Sequence, residues 1–166
     1  MIHRFLEILD RRFGIERAKA HCDVPCGIYD PITAQIGALT VVRMIDLMNE
    51  LENKHPEGGL EAKNSMSRYV ATKEEHAEKV KHEIRVIWGD YIKPEHIEAN
   101  PDLNETVQRI MQLGSKSRQT ADRDTAVELV AAVNRFAEIF WSTKNVAVKR
   151  ANAPYAPALE MVYPDL

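Results

Sequence analysis

Two thiols, one imidazole and two turn-forming residues fall within a few positions of each other in His21-Cys22-Asp23-Val24-Pro25-Cys26-Gly27-Ile28-Tyr29-Asp30-Pro31. Pro25 and Gly27 can fold this stretch into a hook that brings both sulfurs to one point. If the chain is cut before His21, the new α-amine, the Cys22 amide nitrogen and the Cys22 thiolate can bind one metal in fused five-membered chelate rings. Cys26 then supplies a fourth donor, and the His21 imidazole can approach axially. Nitrogen and thiolate donors in a plane suit Ni(II) or Cu(II), whereas zinc prefers a tetrahedron. A deprotonated amide with two thiolates donates strongly and stabilises a trivalent metal.

Before such a cut the amine is locked in the Ala20-His21 peptide bond, so metal loading is conditional on proteolysis. By spacing alone, a Cys-x-x-x-Cys pair is equally a structural thiol pair, an adventitious zinc site or a regulatory disulfide. Cys22 and Cys26 are the only cysteines, which excludes a disulfide framework for a chain this long.

Residues 1–20 carry Ile2, Phe5, Leu6, Leu9 and Phe13 at helical spacing, which predicts a short amphipathic helix. Ala18-Lys19-Ala20 has the small-x-small form of a signal-peptidase site. Glu7, Asp10, Arg11 and Arg12 interrupt the apolar run that a secretory signal needs. The segment therefore reads as a non-secretory leader on a cytoplasmic protein, with residues 21–166 as one domain, although its own residues alone fit an ordinary first helix better. The net charge of −3 argues against general nucleic-acid binding. No run approaches the ~18 apolar residues of a membrane span.

The rest of the chain must position the hook, and its pattern is helical. Asp30-Pro31 starts a helix that carries Ile32, Ile36, Leu39, Leu47 and Leu51 before the break at residues 55–59. A second helix is predicted over about 62–92, with Ala77, Val80, Ile84, Ile87 and Tyr91 inward. Pro94 and Pro101 bracket a connection. A shorter helix spans about 103–113 and ends before Gly114. The last runs over about 122–148, with Leu129, Val133, Ala137 and Phe140 on one face. Residues 153–166 read as an extended tail. No alternating strand pattern is found, so the predicted fold is an all-α, antiparallel four-helix bundle with an N-terminal hook.

A bundle invites a di-iron site built on Glu-x-x-His. The residues three before His76, His82 and His96 are Lys73, Lys79 and Lys93, so the pattern fails each time. Zinc-protease, phosphate-loop and nucleophile-elbow motifs are also missing.

The stretch His21 to Pro31 resembles the hook that opens the mature nickel superoxide dismutases, matching His-Cys-Asp-x-Pro-Cys-Gly-x-Tyr-Asp-Pro at every fixed position. Trp88-Gly89-Asp90-Tyr91-Ile92-Lys93-Pro94 is similar to that family's Trp-x-Asp-Tyr-x-Lys-Pro. Ile139-Phe140-Trp141-Ser142-Thr143-Lys144 is similar to its Ile-Phe-Trp-x-Thr-Lys. The resemblance implies a four-helix bundle assembled as a homohexamer, a leader removed by a dedicated protease, and disproportionation of superoxide at a nickel ion. It implies that His21 supplies the amine and the axial imidazole, Cys22 its amide nitrogen and thiolate, and Cys26 the second thiolate. Asp23 would hold the hook, Tyr29 would order water over the open face, and Tyr91 and Arg68 would stand nearby. Superoxide is an anion, and Lys93 is a candidate to attract it. A nickel carrier or sensor would use the same ligands without redox turnover. A helical interaction protein with an incidental thiol pair would use none of them.

Two positions depart from the family pattern. The Glu that steadies the axial histidine falls at Gly37, and the Arg that holds that Glu falls at His76. Partners of this kind set the orientation and basicity of an imidazole ligand. His76 or a nearby Glu is the expected substitute.

Overall fold

The structure, a computed structural model, describes residues 27–166. Helix α1 spans Ile32–Lys54. It begins where expected, because Asp30 Oδ1 accepts the Ile32 amide at 2.8 Å and satisfies a donor that the first turn leaves unpaired. The turn at residues 55–59 places Gly58 at φ +65°. Helix α2 then spans Leu60–Val86 and passes into a single π-helical turn, Ile87–Tyr91. Helices α3 (Pro94–Ala99), α4 (Leu103–Gln119) and α5 (Arg123–Thr143) come next.

The four long helices contact in a closed ring: α1 on α2, α2 on α4, α4 on α5, and α5 on α1. Their apolar stripes meet inside it. Ala34, Ala38, Val41, Val42 and Ile45 of α1 face Ala77, Val80 and Ile84 of α2 across one cluster. Leu103 and Ile110 of α4 and Leu129, Val133, Phe136 and Phe140 of α5 complete it. The spacing of three and four is what a helix needs to bury one face. Each large apolar side chain buried there contributes up to about 1.5–3 kcal/mol. Met66, Tyr69 and Val70, in the first half of α2, are half-buried.

Helices α1 and α2 pack tightly at Gly37. A methyl group added there would lie 2.9 Å from Val80 Cγ2 and 3.3 Å from the His76 carbonyl oxygen. Gly37 and His76 are therefore neighbours. The α1–α2 contact fills the space a larger side chain would take.

Lys73 is a buried charge at 3% exposure. Its ammonium donates to the carbonyls of Ser117, Arg118 and Thr120 at 2.6, 2.9 and 2.8 Å. It thereby closes the C-terminal end of α4, where unpaired carbonyls and the negative end of the helix dipole favour a cation. Burial pushes its ammonium below the usual lysine range.

Four sequence expectations need correcting. Helix α4 continues through Gly114 to Gln119 because Gly114 accommodates Lys81, whose Cγ lies 2.8 Å from where a methyl group would sit. Helix α5 ends at Thr143, short of 148, with Asn145 at φ +56°. The Asn145 and Val146 amides return to the Ser142 and Trp141 carbonyls, which terminates the helix in a Schellman motif. The connection after Pro94 contains the short helix α3. The tail is a two-stranded antiparallel hairpin, β1 (Val148–Asn152) and β2 (Glu160–Pro164), with Arg150 opposite Val162.

The hairpin packs on α1 and α5 through two buried amides, Gln35 at 1% and Asn134 at 4% exposure. Gln35 Nε2 donates to Asn134 Oδ1 at 3.0 Å and to the Val162 carbonyl at 2.9 Å. Asn134 Nδ2 donates to the Glu160 carbonyl at 2.8 Å, and Asn134 Oδ1 accepts the Val162 amide at 3.3 Å. These side chains satisfy the edge of β2 that β1 does not pair. Met161 and Val162 are fully buried beside them.

Candidate active site

Four elements converge on Tyr91, the last of them α3 through His96. The first is the segment leading into α1, which carries Tyr29 and includes Gly27 at φ +87°, a conformation that suits glycine. The second is the π-helical turn, in which the Ile92 amide bonds the Ile87 carbonyl at 3.2 Å. Such turns insert one residue into a helix and re-aim the chain beyond it. The third is the end of α5.

Tyr29 and Tyr91 are half-buried and lie with ring centroids 5.6 Å apart. The structure thus brings together two residues that the sequence placed far apart. Tyr91 also meets Phe140 at 5.1 Å, and Phe140 meets Trp141 edge-on at 5.1 Å. The Tyr91 hydroxyl lies 2.8 Å from Thr143 Oγ1. Thr143 has one hydroxyl hydrogen, which goes to the Phe140 carbonyl at 2.7 Å. Tyr91 is therefore the donor in the pair, and its oxygen keeps lone pairs to accept from water.

Among the described residues, Lys144 is the cation that stands over this cluster. Its ammonium sits 4.5 Å from the Tyr91 ring centroid and 5.3 Å from that of Phe140, a cation–π arrangement. Lys93, the candidate from sequence, is exposed and turns its ammonium to the Asp90 carbonyl at 3.3 Å. Sequence reasoning quoted Lys144 only as part of a motif. The missing signal was the end of α5, which falls at Thr143, one residue before Lys144.

Sequence reasoning also missed His96. Its ring stacks on Tyr91 at 5.4 Å and 22°. Its Nδ1 accepts the Lys93 amide at 3.1 Å, so the proton sits on Nε2. The signal was present in Lys93-Pro94, a helix start with Pro at the first position, three residues before a histidine.

Arg68 is exposed on α2. His76 is half-buried, and its Nδ1 donates to the Thr72 carbonyl at 2.9 Å, leaving Nε2 as an acceptor. His21, Cys22, Asp23 and Cys26, together with the leader at residues 1–20, lie outside the described residues. Among the described residues, no group of three or more His, Cys, Asp or Glu side chains could hold a metal. The donor set of His21, Cys22 and Cys26 is the one whose chemistry fits nickel: two thiolates, an amide nitrogen and, after cleavage, an amine.

Among solved structures, the chain is similar to a native nickel superoxide dismutase at 34% identity and a TM-score of 0.64. That match covers 75% of this chain and 99% of the other. The metal-free form of such an enzyme matches at 29% identity and a TM-score of 0.61, covering 72% and 99%. These likenesses set the class, a small helical scaffold of the kind solved for metal-dependent dismutases. A profile of the nickel-containing superoxide dismutases matches residues 16–144, and the chain belongs to that family. A nickel superoxide dismutase of Streptomyces seoulensis is 33% identical over 138 residues, covering 82% of this chain and 98% of the relative. One from Streptomyces coelicolor is 34% identical over 125 residues, covering 75% and 88%.

Proposed function

We propose that this chain is a nickel-dependent superoxide dismutase that converts two superoxide ions and two protons into dioxygen and hydrogen peroxide. The observation that carries the reading is the family match over residues 16–144, which contains the whole hook motif and both tyrosines. The ring of four long helices supports an antiparallel four-helix bundle as its scaffold.

In this reading His21, Cys22 and Cys26 hold the ion, through the amine and imidazole of His21, the amide nitrogen and thiolate of Cys22 and the thiolate of Cys26. Nickel, when bound, supplies a one-electron couple between its trivalent and divalent states that serves both half-reactions. Asp23 steadies the hook. Tyr29 and Tyr91 order water and pass protons toward the product, and the Tyr91 hydroxyl is oriented for this by Thr143. The aromatic cluster narrows access to small anions. Lys144 supplies the local positive potential that draws superoxide in.

Residues 1–20 act as a leader removed by a maturation protease, and the mature chains form a homohexamer in the cytoplasm. Removal takes away five basic and three acidic residues, so the net charge moves from −3 to −5. Attraction of an anion must then be local. No described helix is long and apolar enough to cross a membrane.

Native mass spectrometry tests the reading on protein made with nickel and the host's own processing machinery. Six chains beginning at His21, each with one nickel, are expected. Chains cleaved at His21 that reject nickel would overturn it.

A further inference from the structure

We infer that His96 is a positioning residue for Tyr91 and that it acts through its ring, not through its hydrogen bond. The inference rests on the proposed function, in which Tyr91 serves the dismutase site. The hydroxyl of a tyrosine lies on the axis about which its ring turns. The bond from Tyr91 to Thr143 at 2.8 Å therefore fixes the tip of the side chain and leaves the plane of the ring free to rotate. Something else must set that plane. Tyr29 and Phe140 meet the ring tilted, at 42° and 52°, and Lys144 contributes a charge without a plane. Among the described residues, His96 alone lies nearly parallel to it, at 22° and 5.4 Å.

The imidazole can do this because it is itself held. Pro94 starts α3, and the Lys93 amide donates to His96 Nδ1 at 3.1 Å. The side chain of Asn100 donates to the His96 carbonyl at 3.0 Å, closing the other end of the six-residue helix. Helix α3 buries no residue fully and rests on the core through half-buried Ile97. It holds a ring against Tyr91. Facing the pair are Lys144 from α5 and Tyr29 from the segment before α1.

Three substitutions in the full chain separate the two roles. His96→Phe keeps a ring and loses the acceptor. His96→Gln keeps an acceptor that a residue at this helix position can offer to the cap amide and loses the ring. His96→Ala loses both. Two readouts are taken: the Tyr91 ring-flip rate, by NMR on metal-free protein carrying labelled tyrosine, and kcat and KM of the nickel-loaded protein. Flipping is expected to accelerate about tenfold in His96→Ala and His96→Gln, the scale of one aromatic pair, and to stay near wild type in His96→Phe. The same two variants are expected to lower kcat with KM little changed. Rescue by Gln and not by Phe would overturn the proposal by making His96 a helix cap only. Unchanged flipping in all three would also overturn it. Faster flipping with unchanged turnover would detach Tyr91 from the reaction while leaving the nickel assignment intact.

Discussion

Tyr91 donates its hydroxyl hydrogen to Thr143, 2.8 Å away, and Thr143 passes its own to the Phe140 carbonyl. The π-helical turn and the last turn of α5 are joined by this relay, which has one direction. Thr143→Val is expected to break it while keeping the shape of the side chain. The loss should be about 1 kcal/mol of stability, read by urea unfolding of the metal-free chain. Turnover of the nickel-loaded chain is expected to fall less than in Tyr91→Phe, because the phenol remains.

Lys144 stands over the Tyr91 ring, and Lys93 is turned to the Asp90 carbonyl. Lys144→Gln is expected to lower kcat/KM for superoxide several-fold at low salt and to flatten its dependence on ionic strength. Lys93→Gln is expected to do less. Pulse radiolysis across a range of salt concentrations measures both. Equal effects, or a larger one at Lys93, would move the anion path away from the end of α5.

Gly37 lies in a tight contact between α1 and α2, with space for a methyl group already taken by Val80 and the His76 carbonyl. Gly37→Ala should cost about 1–3 kcal/mol as overpacking. Gly37→Glu should cost more unless α1 and α2 separate. Thermal unfolding of the two variants decides this. A tolerated Glu would mean that the helices part readily at this level.

Asp102 and Arg135 tie the start of α4 to α5 through two bonds, at 2.8 and 3.1 Å. The hydrogen bond from Arg135 holds the Asp102 carboxyl below the usual carboxylate range. A carboxyl with a depressed folded pKa stabilises the fold above its unfolded value, near 3.9. That stabilisation is lost as pH falls through the folded value. Asp102→Asn is therefore expected to be less stable than wild type at neutral pH and to converge with it below about pH 4. The pair is surface-exposed, so the difference is modest. Unfolding midpoints measured across pH check the sign.

Lys73 closes the end of α4 with three carbonyl bonds. Lys73→Met removes the charge and leaves those acceptors without a donor. A loss of about 2–3 kcal/mol is expected, with amide exchange rising first in the last turn of α4.

The long helices were legible because each repeats one signal many times. The α1 start at Asp30-Pro31 and the α5 face through Phe140 are local patterns that packing then confirms. What escaped depends on contacts between distant residues. Strand β1 reads Val-Lys-Arg-Ala-Asn, which has no alternation, and β2 is held by side chains from α1 and α5. Helix α3 is shorter than two turns and leaves no periodicity. At the site, Tyr29 and Tyr91 were found through their motifs. The partners of Tyr91 could not be found that way, because a stack between His96 and Tyr91 is set by the angle at which α3 leaves the π-helical turn. The nearness of Gly37 to His76 was hidden for the same reason, since it belongs to the crossing of two helices.

The hairpin begins at Val148 and the family match ends at Lys144, so the strand that Gln35 and Asn134 grip lies beyond the part of the chain that the family profile matches. Those two amides sit within the matched part. Without β2 they would keep their bond to each other and lose the three that reach Glu160 and Val162, a costly loss for buried amides. The tail and the two amides are therefore one structural unit drawn from three separate places in the chain. Across related sequences, Gln at 35 and Asn at 134 should come and go with the terminal hairpin. A tail transplanted onto a relative that lacks both amides would find nothing to read its backbone.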